Sequence, residues 1–135
     1  MQNPKVLLVE DDRFVLKAMK MQFEEAGYIV KIAENGQKAI KVLKKWLPSA
    51  VILDILMPQK NGYEVLKTIK STPAWKGLPV LITSNLNGEN DINTGMDLSA
   101  AEFIVKSDLS LEDLVKKTSY YINMSAHGQK SLQTK

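Results

Sequence analysis

Short apolar runs alternate with amphipathic segments along the chain. The runs are rich in Val, Ile and Leu and end in polar residues, which is typical of buried parallel strands. The most apolar run, 50–55, is expected to be a central strand covered on both faces. The pattern predicts five strands, over 5–9, 28–33, 50–55, 80–84 and 103–106.

Apolar residues recur at helical spacing in the segments between these runs. The first helix is expected to start at Arg13 and end near Gly27, because Phe14, Val15, Ala18, Met19 and Phe23 recur there at helical spacing. A second helix is predicted over 37–47, with Trp46 and Leu47 on its inner side. The remaining helices are predicted over 63–70, within 85–99 and over 111–124. The helix within 85–99 is expected to be loose, because asparagine and glycine are frequent there.

Strands that alternate with helices predict a doubly wound α/β fold, in which a five-stranded parallel sheet lies between two layers of helices. The 135 residues contain enough apolar side chains for one core but too few for two. We therefore predict one domain over 1–124, followed by a polar tail or the start of a linker over 125–135. Ligands of such folds bind at the carboxyl ends of the strands, where the strand order reverses.

Composition and charge exclude several classes of function. The sequence has no cysteine, which excludes a disulfide scaffold, a zinc–thiolate site and a thiol nucleophile. The net charge is only +3, and basic residues are spread along the chain among acidic ones, so no direct nucleic-acid binding is expected. No apolar run approaches the roughly 20 residues of a membrane span. We expect a cytoplasmic protein that does not contact membranes.

Charged and hydroxyl side chains lie at the carboxyl ends of four of the predicted strands. They are Glu10, Asp11 and Asp12 at the end of the first, Asp54 at the end of the third, Ser84 at the end of the fourth and Lys106 at the end of the fifth. Carboxylates that share one edge of a sheet repel each other, so they either raise one pKa or require a hard cation, for which Mg²⁺ is the natural candidate. Asp54 follows a strongly apolar strand, so its charge needs a partner that Lys106 or a cation would supply.

This ordered set of residues resembles the receiver domains of bacterial two-component response regulators, including the stand-alone chemotaxis type, over residues 5 to 123. The resemblance rests on the acidic pair Glu10 and Asp11, and on the Leu-Asp-Ile-Leu-Met-Pro motif around Asp54, with Gly62 following. Ser84 and Lys106 follow Asp54 at spacings that are typical of the family. The fold is then expected to be the flavodoxin-like receiver fold.

The resemblance implies that Asp54 accepts a phosphoryl group from the phosphohistidine of a histidine kinase or a phosphotransfer protein. It implies Mg²⁺ as the cofactor, with Asp11, Asp54 and the backbone carbonyl of Leu56 as direct ligands. Glu10 would act mainly through metal-bound water, whereas Asp12 would be an exposed support. Such a domain is not an enzyme acting on external substrates, since it assists only its own phosphotransfer and dephosphorylation.

The resemblance also implies a switch. Ser84 and Lys106 would engage the phosphoryl oxygens, and Phe103 would move inward, so that the surface formed by about residues 89 to 122 changes for a downstream protein target. The alternative for Phe103 is an ordinary strand aromatic packed on the last helix. One departure from the family is Ser107, which stands where proline in a cis bond is common, so a trans turn after Lys106 is expected.

Three other functions remain open at this point. A Mg²⁺-dependent aspartyl phosphatase would need a second aspartate two residues after the nucleophile, but Leu56 stands there. A flavodoxin-like cofactor module would need a glycine-rich phosphate loop after the first strand, and that loop is absent from the sequence. A degenerate receiver that binds proteins independently of phosphorylation would not need the complete acidic, hydroxyl and lysine set.

Overall fold

In a computed structural model of the chain, residues 3–55, 62–85, 94 and 96–133 are described, with side chains up to Ser125. The strands are β1 (Lys5–Val9), β2 (Ile29–Ala33), β3 (Ala50–Asp54), β4 (Val80–Ser84) and β5 (Glu102–Val105). The helices are α1 (Arg13–Glu25), α2 (Gly36–Lys45), α3 (Gly62–Ser71) and the C-terminal helix α4 (Leu111–Gln133). A short 3₁₀ turn, Lys106–Asp108, follows β5.

The five strands form one parallel sheet, as the alternating pattern predicts, and the structure gives the strand order β2-β1-β3-β4-β5. The strand order reverses at β1, which pairs with β2 on one side and with β3 on the other. All five residues of β3 are buried, so the prediction of a central strand covered on both faces is confirmed.

Alternation along the strands divides the core between the two faces of the sheet. Leu7 and Val9 of β1 pack with the cluster beneath α2 and α3, whereas Val6 and Leu8 pack with the cluster beneath α1 and α4. Phe23, at the far end of α1, has no exposed surface and anchors the second cluster. The helices thus cover both faces of the sheet and leave its carboxyl-terminal edge for the site.

The inward face of α1 includes only some of the apolar residues that recur at helical spacing. The buried residues are Leu16, Met19 and Phe23, whereas Phe14 is 89% exposed and Ala18 is also exposed. Two residues of helix correspond to a rotation of about 200°, so a face centred on Leu16 turns Phe14 away from the sheet. The apolar spacing therefore predicts the helix correctly, but it does not identify which residues the helix buries.

Helix α2 ends at Lys45, before the predicted end at residue 47. Trp46 has extended backbone, and Leu47 is 55% exposed rather than inward. Pro48 explains the early end, since a proline disfavours helical backbone in the residue before it.

Most of the predicted loose helix within 85–99 lies outside the described residues. In its described part, the Leu98 N–H donates to the Thr94 carbonyl, which is a helical hydrogen bond. The structure therefore describes four of the five predicted helices.

The last helix runs to Gln133, past the predicted end at Met124. Beyond Ser125 the sequence has no proline, so nothing removes a backbone donor and an existing helix can propagate at little cost. In the described part of the chain, no helix combines the length and the apolar character needed to cross a bilayer.

The Glu102 side chain links β5 to α4 through a hydrogen bond and an ion pair. Its carboxylate accepts a hydrogen bond from the Tyr121 hydroxyl at 2.7 Å and pairs with the Lys117 ammonium at 2.7 Å. Burial opposes the ionised form of Glu102, but these two contacts outweigh it and lower the pKa of the carboxyl. The same hydrogen bond raises the pKa of Tyr121 to about 12.

We expect Tyr121→Phe to lower the free energy of unfolding by about 1 kcal/mol at neutral pH. Because the pKa of Glu102 is lowered on folding, its stabilisation is present above the unfolded pKa and is lost as pH falls through the folded pKa. Urea unfolding should therefore show a smaller difference between wild type and Tyr121→Phe near pH 3 than near pH 7. Tyr120→Phe, at a 59% exposed position, is the control and should have no such effect.

Candidate functional site

Strand register brings the predicted site residues to one edge of the sheet. Val9 pairs with Leu53, so that Glu10 follows β1 beside the end of β3. Asp54 pairs with Thr83, and Ser84 pairs with Val105, the residue before Lys106. The site therefore lies at the carboxyl ends of β1, β3, β4 and β5, next to the point where the strand order reverses.

Three carboxylates form a cluster at this edge. Glu10, Asp11 and Asp54 each offer an oxygen, and these oxygens lie within 4.8 Å of one another. Glu10 is 1% exposed and Asp54 is 4% exposed, whereas Asp11 is at the surface. Burial raises the pKa of Glu10, and its hydrogen bond with Asp54 raises it further. Burial and the neighbouring Glu10 also raise the pKa of Asp11.

Lys106 reaches into the carboxylate cluster from the end of β5. Its ammonium lies 2.5 Å from Glu10 Oε1 and 3.4 Å from Asp54 Oδ2. Burial disfavours the charged ammonium, but the hydrogen bond to Glu10 and the charge of Asp54 outweigh it, so the pKa of Lys106 is raised. The lysine is therefore a fixed cation that two buried carboxylates share.

The loop after Lys106 has the predicted trans geometry. The described residues contain no cis peptide bond, and Lys106–Asp108 form a 3₁₀ turn. Serine at position 107 is thus accommodated without the cis bond that the family commonly has.

The two predicted switch residues lie on neighbouring strands. Ser84 ends β4 and has no exposed surface. Phe103 is half-buried on β5 and packs against the cluster beneath α2 and α3, whereas its neighbour Ile104 faces α4. The alternative of a Phe103 packed on the last helix was therefore wrong. Leu56, the predicted carbonyl ligand, lies outside the described residues.

Asp12 caps the amino end of helix α1, next to the carboxylate cluster. Its carboxylate accepts hydrogen bonds from the backbone N–H groups of Phe14 at 2.9 Å and Val15 at 3.3 Å, which caps the first turn of α1. This cap fixes the turn that carries Glu10 and Asp11. An aspartate directly before an amphipathic segment is the sequence signal that indicates such a cap.

Gly62 allows α3 to approach the end of β3. A Cβ at this position would lie 2.5 Å from Ile55 Cα and 2.6 Å from the Asp54 carbonyl oxygen. The Gly62 N–H also donates to the Ile55 carbonyl at 2.9 Å. The backbone around Asp54 is therefore held by a contact that only glycine permits.

The donor set fits a small, hard dication. Carboxylate oxygens are the ligands that Mg²⁺ prefers, and a dication would offset the repulsion among Glu10, Asp11 and Asp54. The exposed Asp11 marks the side of the cluster that solvent and an incoming group can reach.

Comparison with known proteins identifies the family of this chain. The family model of the response regulator receiver domain matches residues 6–119. The response regulator MprA of Mycolicibacterium vanbaalenii is 30% identical over 113 residues, which cover 84% of this chain and 48% of MprA. The chain thus spans about half the length of the curated relatives that it matches.

Solved structures agree with the fold. The chemotaxis protein CheY4 of Vibrio cholerae is 25% identical, with a TM-score of 0.83 over 89% of this chain and 99% of CheY4. The Mn(2+)-bound form of response regulator Rcp1 is 27% identical, with a TM-score of 0.74 over 85% of this chain and 88% of Rcp1. This chain belongs to the receiver domains of response regulators, the phosphoacceptor modules of two-component signalling.

Proposed function

We propose that Asp54 is the phosphoacceptor of this receiver domain. The main support for this assignment is the position of Lys106, whose ammonium contacts both Glu10 and Asp54. Asp11 lies at the solvent-exposed side of the same cluster. A nucleophilic carboxylate beside a fixed cation can attack an electrophile that carries negative oxygens, because the cation offsets the charge that the attack brings together.

Glu10, Asp11 and Asp54 would hold Mg²⁺, and the carbonyl of Leu56 remains a predicted further ligand. Bound there, Mg²⁺ would neutralise phosphoryl oxygens and help to orient the incoming group. Glu10 is the most buried of the three carboxylates and already pairs with Lys106. It therefore suits an indirect role through metal-bound water.

The transfer step is a displacement at phosphorus. A lone pair of an Asp54 carboxylate oxygen forms the new O–P bond while the P–N bond of the donor phosphohistidine breaks. The electron pair of that bond stays on the imidazole nitrogen, and the imidazole leaves neutral when its other nitrogen carries a proton. Lys106 keeps its proton and stabilises the transferred oxygens by charge.

Ser84 and Phe103 are the proposed switch. The Ser84 hydroxyl would bond to a phosphoryl oxygen, which draws the end of β4 toward Asp54. Phe103 packs on the same face of the sheet as α3, so it can turn toward space that this movement leaves. The readout would be a changed surface over about residues 89 to 122.

The partners follow from this chemistry. Receiver domains interact with histidine kinases and with downstream effectors, and we propose a histidine kinase or a histidine phosphotransfer protein as donor. We further propose a protein as the downstream target, a cytoplasmic location, and no role in hydrolysing external phosphoesters.

Intact-mass measurement tests the proposal. After incubation with acetyl phosphate and Mg²⁺, the wild-type chain should gain one phosphoryl group, and Asp54→Asn should gain none. Asp12→Asn is the matched control, because asparagine also caps helices and Asp12 lies outside the carboxylate cluster. An adduct of equal yield on Asp54→Asn would refute the assignment of Asp54.

A further inference from the structure

Strand β2 is an edge strand with outward-facing backbone groups. The Ile29 N–H donates to the Pro4 carbonyl, and the Ala33 carbonyl accepts from the Glu10 N–H, so residues 29, 31 and 33 bond toward β1. Alternation then turns the N–H and C=O groups of Val30 and Ile32 away from the sheet. Within the described residues no strand lies beyond β2.

Grooves lined by cations run along both faces of this edge. The groove on the α1 side has a volume of about 370 Å³ and contains Ile32 together with Arg13, Lys17 and Lys20. The groove on the α2 side has a volume of about 540 Å³ and is lined by Val42 and by Lys31, Lys41, Lys44 and Lys45. The fold thus gathers around β2 basic residues that are scattered in the sequence.

The charge of this edge is almost entirely positive. Glu34 is the one carboxylate among the described lining residues of the two grooves, and it already lies 3.8 Å from both Arg13 and Lys38. Exposed apolar surface lies on the same strand, since Ile29 is 45% exposed and Ile32 is 42% exposed. The surface around β2 therefore combines unpaired strand-edge hydrogen-bonding groups, exposed apolar side chains and two rows of cations.

We propose that the β2 edge binds an extended, acidic segment of a partner protein, which adds to the sheet as a sixth strand. Successive side chains of an added strand point to opposite faces of the sheet. Acidic residues at odd positions of the segment would therefore reach one lysine-lined groove, and those at even positions would reach the other. Apolar residues of the segment would cover Ile29 and Ile32, which favours a polypeptide over a nucleic acid. The same lysines would repel the β2 edge of a second copy of the chain, which disfavours pairing between two β2 strands.

A synthetic peptide tests this docking site. The probe is a fluorescent peptide of about nine residues in the repeating order Glu-Glu-Val, long enough for a strand and acidic on both faces. Fluorescence anisotropy with the full chain should show binding that weakens as salt is added. A version with N-methyl groups at every backbone amide keeps every charge but has no N–H to donate along either edge, so it should bind at least about tenfold more weakly.

Variants of the chain separate charge from strand pairing. The double variant Lys41→Glu with Lys44→Glu should weaken peptide binding by at least about tenfold, whereas Lys67→Glu with Lys76→Glu, at exposed positions around α3, should leave it unchanged. Ile32→Pro removes an outward N–H and should abolish binding while β1 pairing persists. The circular dichroism spectrum checks that this variant is folded.

Three results would overturn the proposal. They are equal binding of the N-methylated peptide, no loss in the Lys41 and Lys44 double variant, and tighter binding of single-stranded DNA or of anionic phospholipid vesicles at the same salt concentration. None of these results depends on phosphorylation of Asp54, so the outcome is independent of the proposed function.

Discussion

Replacing Lys106 by alanine is expected to lower the free energy of unfolding by about 3 kcal/mol in metal-free buffer. The substitution leaves the carboxylate of Glu10, which is 1% exposed, without the cation that lies 2.5 Å away. Removing one partner of a buried ion pair costs about 3–5 kcal/mol. The lower end of that range applies because the Lys106 side chain is 24% exposed and water can replace part of the interaction.

Urea unfolding checks this expectation, with Lys116→Ala as the control. Lys116 is 72% exposed and pairs with the equally exposed Glu112 at 3.9 Å, so its removal should change stability by less than about 0.5 kcal/mol. Adding Glu10→Gln to Lys106→Ala should restore part of the loss, because it removes the uncompensated charge. Equal stabilities of Lys106→Ala and wild type would contradict a structural ion pair between Lys106 and Glu10.

Gly62→Ala is expected to cost about 2–3 kcal/mol and to slow phosphorylation of Asp54. The added Cβ would meet backbone atoms of Ile55 and Asp54 at 2.5 and 2.6 Å, and backbone cannot yield as a flexible side chain does. Relief of this clash moves either α3 or the end of β3, which carries the nucleophile. The variant should therefore show both lower stability and a lower rate of adduct formation with acetyl phosphate.

Gly77→Ala is the matched control for this substitution. A Cβ at Gly77 would have no neighbouring atom within 4 Å, and Gly77 precedes β4, at the edge of the sheet opposite the cluster. Its stability should stay level or rise by a few tenths of a kcal/mol, since alanine restricts the unfolded chain. If Gly62→Ala behaved like Gly77→Ala, the close approach of α3 to β3 would not be what holds Asp54 in place.

Much of the fold could be predicted from the sequence because buried strands and their alternation with helices leave a strong pattern. The apolar run that ends at Asp54 identified the central strand, and the rule that parallel strands end at one edge brought Glu10, Asp54 and Lys106 together. Their proximity could be inferred from the parallel topology alone, without knowledge of individual contacts.

Other features depend on packing that the linear pattern does not contain. The apolar spacing of α1 includes the exposed Phe14, because the rotation of the helix is set by the burial of Leu16, Met19 and Phe23. Lys106 or a cation was expected to partner Asp54; Lys106 does contact Asp54, but its shorter contact is with Glu10. The cations around β2 looked dispersed along the chain, because only the fold brings α1 and α2 to the two faces of one edge strand.

Chemical reduction of the phosphorylated chain can identify Asp54 as the phosphorylated residue. After incubation with acetyl phosphate and Mg²⁺, borohydride reduces an aspartyl phosphate to homoserine with loss of phosphate, and tandem mass spectrometry of the peptides locates the converted residue. We expect homoserine at position 54 alone, and none when Mg²⁺ is withheld. Homoserine at position 11, or a phosphoryl adduct that survives without any conversion at position 54, would contradict the account.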